Sequence, residues 1–72
     1  MTEAEARTII CRENLAVSWF GSPRPGEMAI RRSALGKYQV YAADERAAPW
    51  GVVHEFDALE AALDKLIEKA RL

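Results

Sequence analysis

The stretch KYQVYAADER, residues 37–46, decides the fold class. Its side chains alternate between two sets, the first Tyr38, Val40 and Ala42, the second Lys37, Gln39 and Tyr41. A period of two is typical of a strand with one buried face. We expect the first set to face a core and the second to face outward, and we expect Asp44-Glu45-Arg46 to form a charged turn.

Two similar segments precede this strand and a shorter one follows it. Leu15–Phe20 alternates, with Leu15, Val17 and Trp19 expected inward. Glu27–Arg32 places Met28 and Ile30 inward, and Ser33–Gly36 is expected to close a hairpin whose Gly36 can adopt a positive φ. Val52–Phe56 is predicted to be a fourth, short strand. Gly21–Gly26 has the composition of a loop.

A helix is predicted at each end of the chain. Thr2 and Glu5 have the spacing of a capping box, and Asp57 with Glu60 repeats that spacing. The second helix carries an apolar stripe that recurs every three or four residues, made of Leu59, Ala62, Leu63, Leu66, Ile67 and Ala70. Asn14 is expected to end the first helix in the left-handed conformation.

These elements predict one α+β domain over residues 1–72, with the order α-β-β-β-(β)-α. A three- to four-stranded antiparallel sheet is expected, with the N- and C-terminal helices packed on one face, because both helices have an apolar stripe to bury. The opposite face would carry Ala16, Ser18, Phe20, Ala29, Arg31, Gln39 and Tyr41. Such a face is either ordinary solvated sheet or a binding surface, since aromatic residues and arginine are enriched at interfaces.

Composition favours a small cytoplasmic protein that functions without a metal or cofactor. The 72 residues contain one cysteine, Cys11, and one histidine, His54, which excludes an intrachain disulfide and a zinc site built from such ligands. No apolar run approaches the roughly 20 residues of a membrane helix, and the N-terminus is acidic. Cys11 is expected to be a small buried hydrophobe and His54 a partly buried packing residue.

The chain lacks the motifs of an enzyme. Gly21 and Gly26 flank prolines and precede a strand, so they do not form a phosphate-binding loop. A single histidine leaves no persuasive nucleophile–base–acid arrangement. We therefore expect a non-catalytic, monomeric binding module.

Nucleic acid is one partner class to weigh, because α-β-β-β-α is also the order of double-stranded-RNA-binding domains. Arg24, Arg31, Arg32 and Lys37 cluster in the sequence. However, Asp57 and Glu60 occupy the start of the last helix, where such domains place lysines that bind phosphate, and these carboxylates would repel it. This function remains the alternative.

A protein partner is the other class, and here the chain resembles a known family. The resemblance covers nearly the whole sequence, through Glu13–Leu15, Trp19–Gly21, Pro25–Glu27, Lys37–Tyr41, Asp44–Arg46, Glu55–Phe56 and Ala62–Asp64. In these segments the chain is similar to the immunity proteins of bacterial polymorphic toxin systems, in the group numbered fifty-nine. The resemblance implies that the chain binds a cognate toxin domain and blocks it.

The predicted contact residues lie mainly in Asp44–Gly51, which we interpret as a loop too long for a tight hairpin. Trp50 either folds back onto the sheet edge or is exposed; if it is exposed, it forms a hot spot together with Tyr41 and Arg46. Asp44 and Glu45 would then steer a basic partner surface. The open sheet face around Phe20 and Arg31 is the alternative interface.

Overall fold

The computed structural model describes residues 1–72 and has six elements. They are α1 (Glu3–Arg12), β1 (Val17–Trp19), β2 (Met28–Arg32), β3 (Tyr38–Ala43), β4 (Pro49–Phe56) and α2 (Leu59–Ala70). The predicted α+β class is confirmed, and the fourth strand is present.

The first helix begins and ends as its sequence predicts. Thr2 accepts a hydrogen bond from the N–H of Glu5 at 3.2 Å, and the Glu5 carboxylate accepts one from the N–H of Thr2 at 3.1 Å. Asn14 has a φ of 51° and turns the chain toward β1. The capping box and the left-handed terminator are therefore confirmed.

The sheet is mixed, whereas the sequence predicted an antiparallel one. The strand order is β1-β2-β3-β4, with β1 parallel to β2 and the other pairs antiparallel. The eight residues Phe20–Glu27 join the two parallel strands. Crossovers between parallel strands commonly need a dozen residues or more, so this connection is unusually short for a parallel pair.

The core lies between the sheet and the two helices. Val17, Ile30 and Val40 face it from three strands, and Ala6 faces it from α1. From α2 the core receives Ala62, Leu63, Leu66 and Ile67, each at most 1 % exposed. Both helices therefore cover the same face, as predicted, because this is the face on which the alternating apolar side chains of the strands lie.

The start of α2 differs from the prediction. Ala58 is the N-cap residue, and no side chain caps the helix. Asp57, which the capping-box spacing had assigned to this role, lies 3.4 Å from Lys37 Nζ. The Asp57 carboxylate could cap the helix N–H groups or pair with an ammonium group. The capping-box spacing indicates only the first of these roles.

The second face of the sheet is partly covered by the connection between β1 and β2. Ser18 is 3 % exposed; its hydroxyl donates to Glu27 Oε1 at 3.1 Å and accepts from the N–H of Arg24 at 3.0 Å. Ala29 is 2 % exposed beside it. Ser18 and Ala29, expected on an open face, are therefore buried.

Candidate functional site

The turn between β3 and β4 is tighter than the predicted loop. Asp44 Oδ1 accepts hydrogen bonds from the N–H of Arg46 at 2.8 Å and from the N–H of Ala48 at 3.0 Å. Ala47 adopts a φ of 62°, and the N–H of Asp44 donates to the carbonyl of Ala48 at 2.9 Å. The irregular segment is thus residues 44–48, and the prediction of a longer loop through Gly51 is wrong because Pro49 already pairs with Ala43.

A bulge in β4 shapes the surface beyond this turn. Trp50 pairs with Ala42 and His54 with Val40, so three residues of β4 lie opposite Tyr41 alone. Gly51 accommodates the bend with a φ of +70°, which strains any residue with a Cβ. The bulge leaves Trp50 68 % exposed and Val52 71 % exposed.

We define the hairpin surface as Glu45, Arg46, Trp50 and Val52. Arg46 and Glu45 are exposed, and neither forms an ion pair within the chain. Together with Asp44 and Trp50 they line a shallow polar depression of about 320 Å³. Trp50 is thus exposed and does not fold back onto the sheet edge. Val52 was not a predicted site residue, although a glycine inside a strand pattern is a known signal of a bulge.

A groove runs beside the hairpin surface, between the bulge and the last turn of α2. Its volume is about 360 Å³, and its lining consists of Met28, Tyr41, Ala42, Trp50, Gly51, Val52, His54 and Lys69. Most of this lining is apolar, with Lys69 supplying a positive charge. His54 is half-buried here, as expected. Because Trp50 and Val52 form exposed walls, the groove is a surface feature suited to side chains of a partner.

Tyr41 does not belong to the hairpin surface, which corrects the prediction. Its side chain is 2 % exposed, and the guanidinium of Arg31 lies 4.8 Å from the centre of its ring. Its partner on β2 is Ala29, whose side chain is small, and the Arg31 side chain lies over the ring. The alternation placed Tyr41 on the correct face, but the residues that cover this face come from elsewhere in the chain.

Phe20 and Arg31 do not share a surface. A φ of 52° turns Phe20 out of the strand pattern, and its ring packs edge-on against Trp19 at 5.4 Å and Tyr38 at 6.3 Å. Both of these rings pack against the helix-covered core. Arg31 lies on the other face, where Nε donates to Gln39 Oε1 at 2.6 Å. The alternative interface built on these two residues therefore does not form.

The four basic residues of the nucleic-acid alternative are also dispersed. Arg32 lies over Tyr38 on the helix side, whereas Arg31 lies on the opposite face. Lys37 is within 3.4 Å of Asp57 and 3.9 Å of Glu55. Arg24 is 2.9 Å from Glu27. Their proximity in the sequence does not become a continuous basic patch.

Perturbed carboxylates lie away from the hairpin surface. A hydrogen bond from Arg71 lowers the pKa of Glu13, and one from Lys65 lowers the pKa of Glu68. The backbone N–H of Thr2 lowers the pKa of Glu5. In each case a hydrogen bond at the surface stabilises the charged form of the carboxylate. These groups therefore serve the fold and do not suggest acid–base chemistry.

Three further observations concern metal binding, Cys11 and the length of the helices. No group of three or more His, Cys, Asp or Glu side chains lies close enough together to ligate a metal ion. Cys11, expected to be buried, is exposed, because α1 presents it beside its apolar stripe and not within it. Neither helix has the length and apolar character required to cross a membrane.

Scans of the chain against protein-family models, curated proteins and solved structures gave no significant match. The fold and the hairpin surface define the chain as an α+β domain with an exposed, partly apolar surface at one edge of its sheet.

Proposed function

We propose that this chain is an immunity protein that binds a bacterial toxin domain through the hairpin surface and neutralises it in the cytoplasm. The binding part of this proposal is supported by the geometry of the β3–β4 hairpin. The toxin part is supported by the sequence segments that resemble an immunity family.

The observation that carries the proposal is the exposure of Trp50. An indole that is 68 % exposed leaves a large apolar surface in water. Single exposed apolar residues are common, but Trp50 lies next to the 71 % exposed Val52 and beside a groove of about 360 Å³. Tryptophan and arginine are the residues most often found at interface hot spots. The adjacency of Trp50 and Arg46 fits that composition.

The charges near Trp50 suit a protein partner with mixed polarity. Glu45 is available to a basic group of the partner and Arg46 to an acidic one, since both lack an ion pair within the chain. Residues 41–72 carry four basic and seven acidic side chains, so this half of the chain favours a basic partner. Such complementarity accelerates association more than it raises affinity.

The test uses the toxin domain encoded beside the gene of this chain. The toxin domain is expressed in a bacterial host with and without the chain, and growth and calorimetric affinity are measured. We expect the chain to restore growth. Trp50→Ala should weaken binding about 30-fold or more, the loss typical of a hot spot.

Leu35→Ala is the matched control, because Leu35 is 83 % exposed in a different turn. It should bind as tightly as the parent. Failure of the parent chain to bind the toxin domain would overturn the proposal. Equal binding by the Trp50→Ala variant would exclude the hairpin surface. Retention on duplex RNA that weakens steeply with salt would favour the nucleic-acid alternative.

A further inference from the structure

The strand at the other edge of the sheet, β1, has unpaired backbone groups. The N–H of Phe20 donates to the carbonyl of Ile30 at 3.1 Å, so Phe20 points its backbone toward β2. Because backbone groups alternate along a strand, those of Val17 and Trp19 point away from β2. Arg24 Nη2 donates to the Val17 carbonyl from that side, at 3.3 Å. The N–H groups of Val17 and Trp19 and the Trp19 carbonyl bond no turn, loop or side chain.

A small apolar groove lies along this edge, between α1 and β1. Its volume is about 210 Å³, and its lining consists of Arg7, Ile10, Cys11, Val17 and Trp19. Sites for small molecules usually have volumes of about 300 Å³ or more. The groove is therefore better matched to one apolar side chain than to a separate ligand.

We propose that β1 accepts an extended segment of a partner protein as a fifth strand, with one apolar side chain in this groove. In strand addition, main-chain hydrogen bonds supply affinity, and pockets for alternate side chains supply specificity. The N–H groups of Val17 and Trp19 and the Trp19 carbonyl provide these hydrogen bonds, and the groove beside them provides the pocket. The inference is independent of the proposed function, since the hairpin surface belongs to the opposite edge.

The charge at the edge indicates an acidic segment. Arg7 lies 5.4 Å from the centre of the Trp19 ring and is the guanidinium available at this edge. Arg24 contacts the Val17 carbonyl, but its charge is already paired with Glu27 at 2.9 Å. The ion pair of Arg7 with Glu3, at 3.7 Å, is exposed on both sides and is easily exchanged for a partner carboxylate. A second copy paired through β1 would present Val17, Ser18 and Trp19, none of which is acidic. The charge thus disfavours a second copy as the occupant.

The test begins with a random library of twelve-residue peptides displayed on phage and selected against the full chain. We expect an enriched pattern in which apolar and polar residues alternate next to Asp or Glu. The synthetic consensus peptide should shift the amide resonances of Val17 and Trp19. It should also protect Cys11, the only cysteine of the chain, from maleimide.

Two charge reversals on α1 provide the matched comparison. Arg7→Glu, at the groove, should weaken binding of the consensus peptide at least tenfold. Arg12→Glu makes the same change on a part of α1 that does not line the groove and should leave binding unchanged. The absence of any enriched peptide, equal effects of the two variants, or resonance shifts confined to β4 would overturn the inference. None of these outcomes bears on the binding of a toxin domain at the hairpin surface.

Discussion

The carboxylate of Asp44 closes the β3–β4 turn by accepting a hydrogen bond from the N–H of Ala48 at 3.0 Å. A second bond, from the N–H of Arg46, reaches the same oxygen. Asp44 thus acts on the shape of the turn, while its neighbour Glu45 is free to contact a partner. Two adjacent acidic residues that look equivalent in the sequence have separate roles.

Removing the Asp44 carboxylate should therefore destabilise the fold. Asp44→Ala loses two hydrogen bonds, each worth about 0.5–1.5 kcal/mol, so the free energy of unfolding should fall by about 1–3 kcal/mol in urea denaturation. Glu45→Ala is the control and should stay within about 0.5 kcal/mol of the parent. Equal denaturation midpoints for the two variants would show that the turn does not depend on Asp44.

Truncation of the core at α2 should have a larger effect. Leu63 is fully buried, and Leu63→Ala should lower the free energy of unfolding by about 2–5 kcal/mol, because it removes buried methyl groups and leaves a cavity. Leu35→Ala makes the same chemical change at an exposed position and should cost far less. A loss below about 1 kcal/mol for Leu63→Ala would contradict its place in the core.

The contact between the two helix ends should make stability depend on pH. The hydrogen bond from Arg71 lowers the pKa of Glu13 below its ordinary value of 4.5 in the folded chain. The contact therefore stabilises the fold fully above pH 4.5, and that contribution is lost as the pH falls through the lower folded value.

Urea midpoints measured at neutral pH and near pH 3 provide the test of this linkage. Glu13→Gln should reduce the difference between the two midpoints, because the variant has no carboxylate to titrate. Glu45→Gln, whose parent side chain forms no hydrogen bond or ion pair, should preserve the difference. An unchanged difference in Glu13→Gln would show that this pair contributes nothing to the pH dependence.

Substitution of the two tryptophans should change the free energy of unfolding by different amounts. Trp50 is 68 % exposed, so Trp50→Ala should change the free energy of unfolding by less than about 1 kcal/mol. Trp19 packs against the core and against Phe20, so Trp19→Ala should cost about 2 kcal/mol or more. Acrylamide should quench mainly the fluorescence of Trp50. Strong quenching that survives Trp50→Ala would mean that Trp19 is the accessible indole.

Patterns that depend on neighbouring residues were mostly reliable guides to the fold, although the capping box expected at Asp57 does not form. The alternation around Val40 identified its buried face, and the stripe through Leu63 identified the side of α2 that packs on the sheet. The capping box at Thr2 was confirmed for the same reason, since both of its partners lie within one helical turn. These features require only local geometry.

Features that depend on distant contacts were not accessible in this way. The parallel pairing of β1 depends on how Ser18 binds the connection that follows it. Burial of Tyr41 depends on Arg31 from the next strand. The hairpin surface was predicted in part: Trp50, Glu45 and Arg46 do lie together, but Tyr41 is excluded and Val52 is added. The bulge explains the addition of Val52, because it alters which residues of β4 face outward. Tyr41 is excluded because Arg31 covers its ring.

The share of the core that α2 contributes has a consequence for how the chain is assembled. Four of the eight core residues come from this one helix, and the two residues between Phe56 and Leu59 are all that join it to the sheet. Cutting the chain there separates a sheet that keeps only α1 as its cover from a helix that has lost its support. The two fragments are thus natural halves of a split protein. The affinity with which they reassociate would measure how strongly α2 and the sheet stabilise each other.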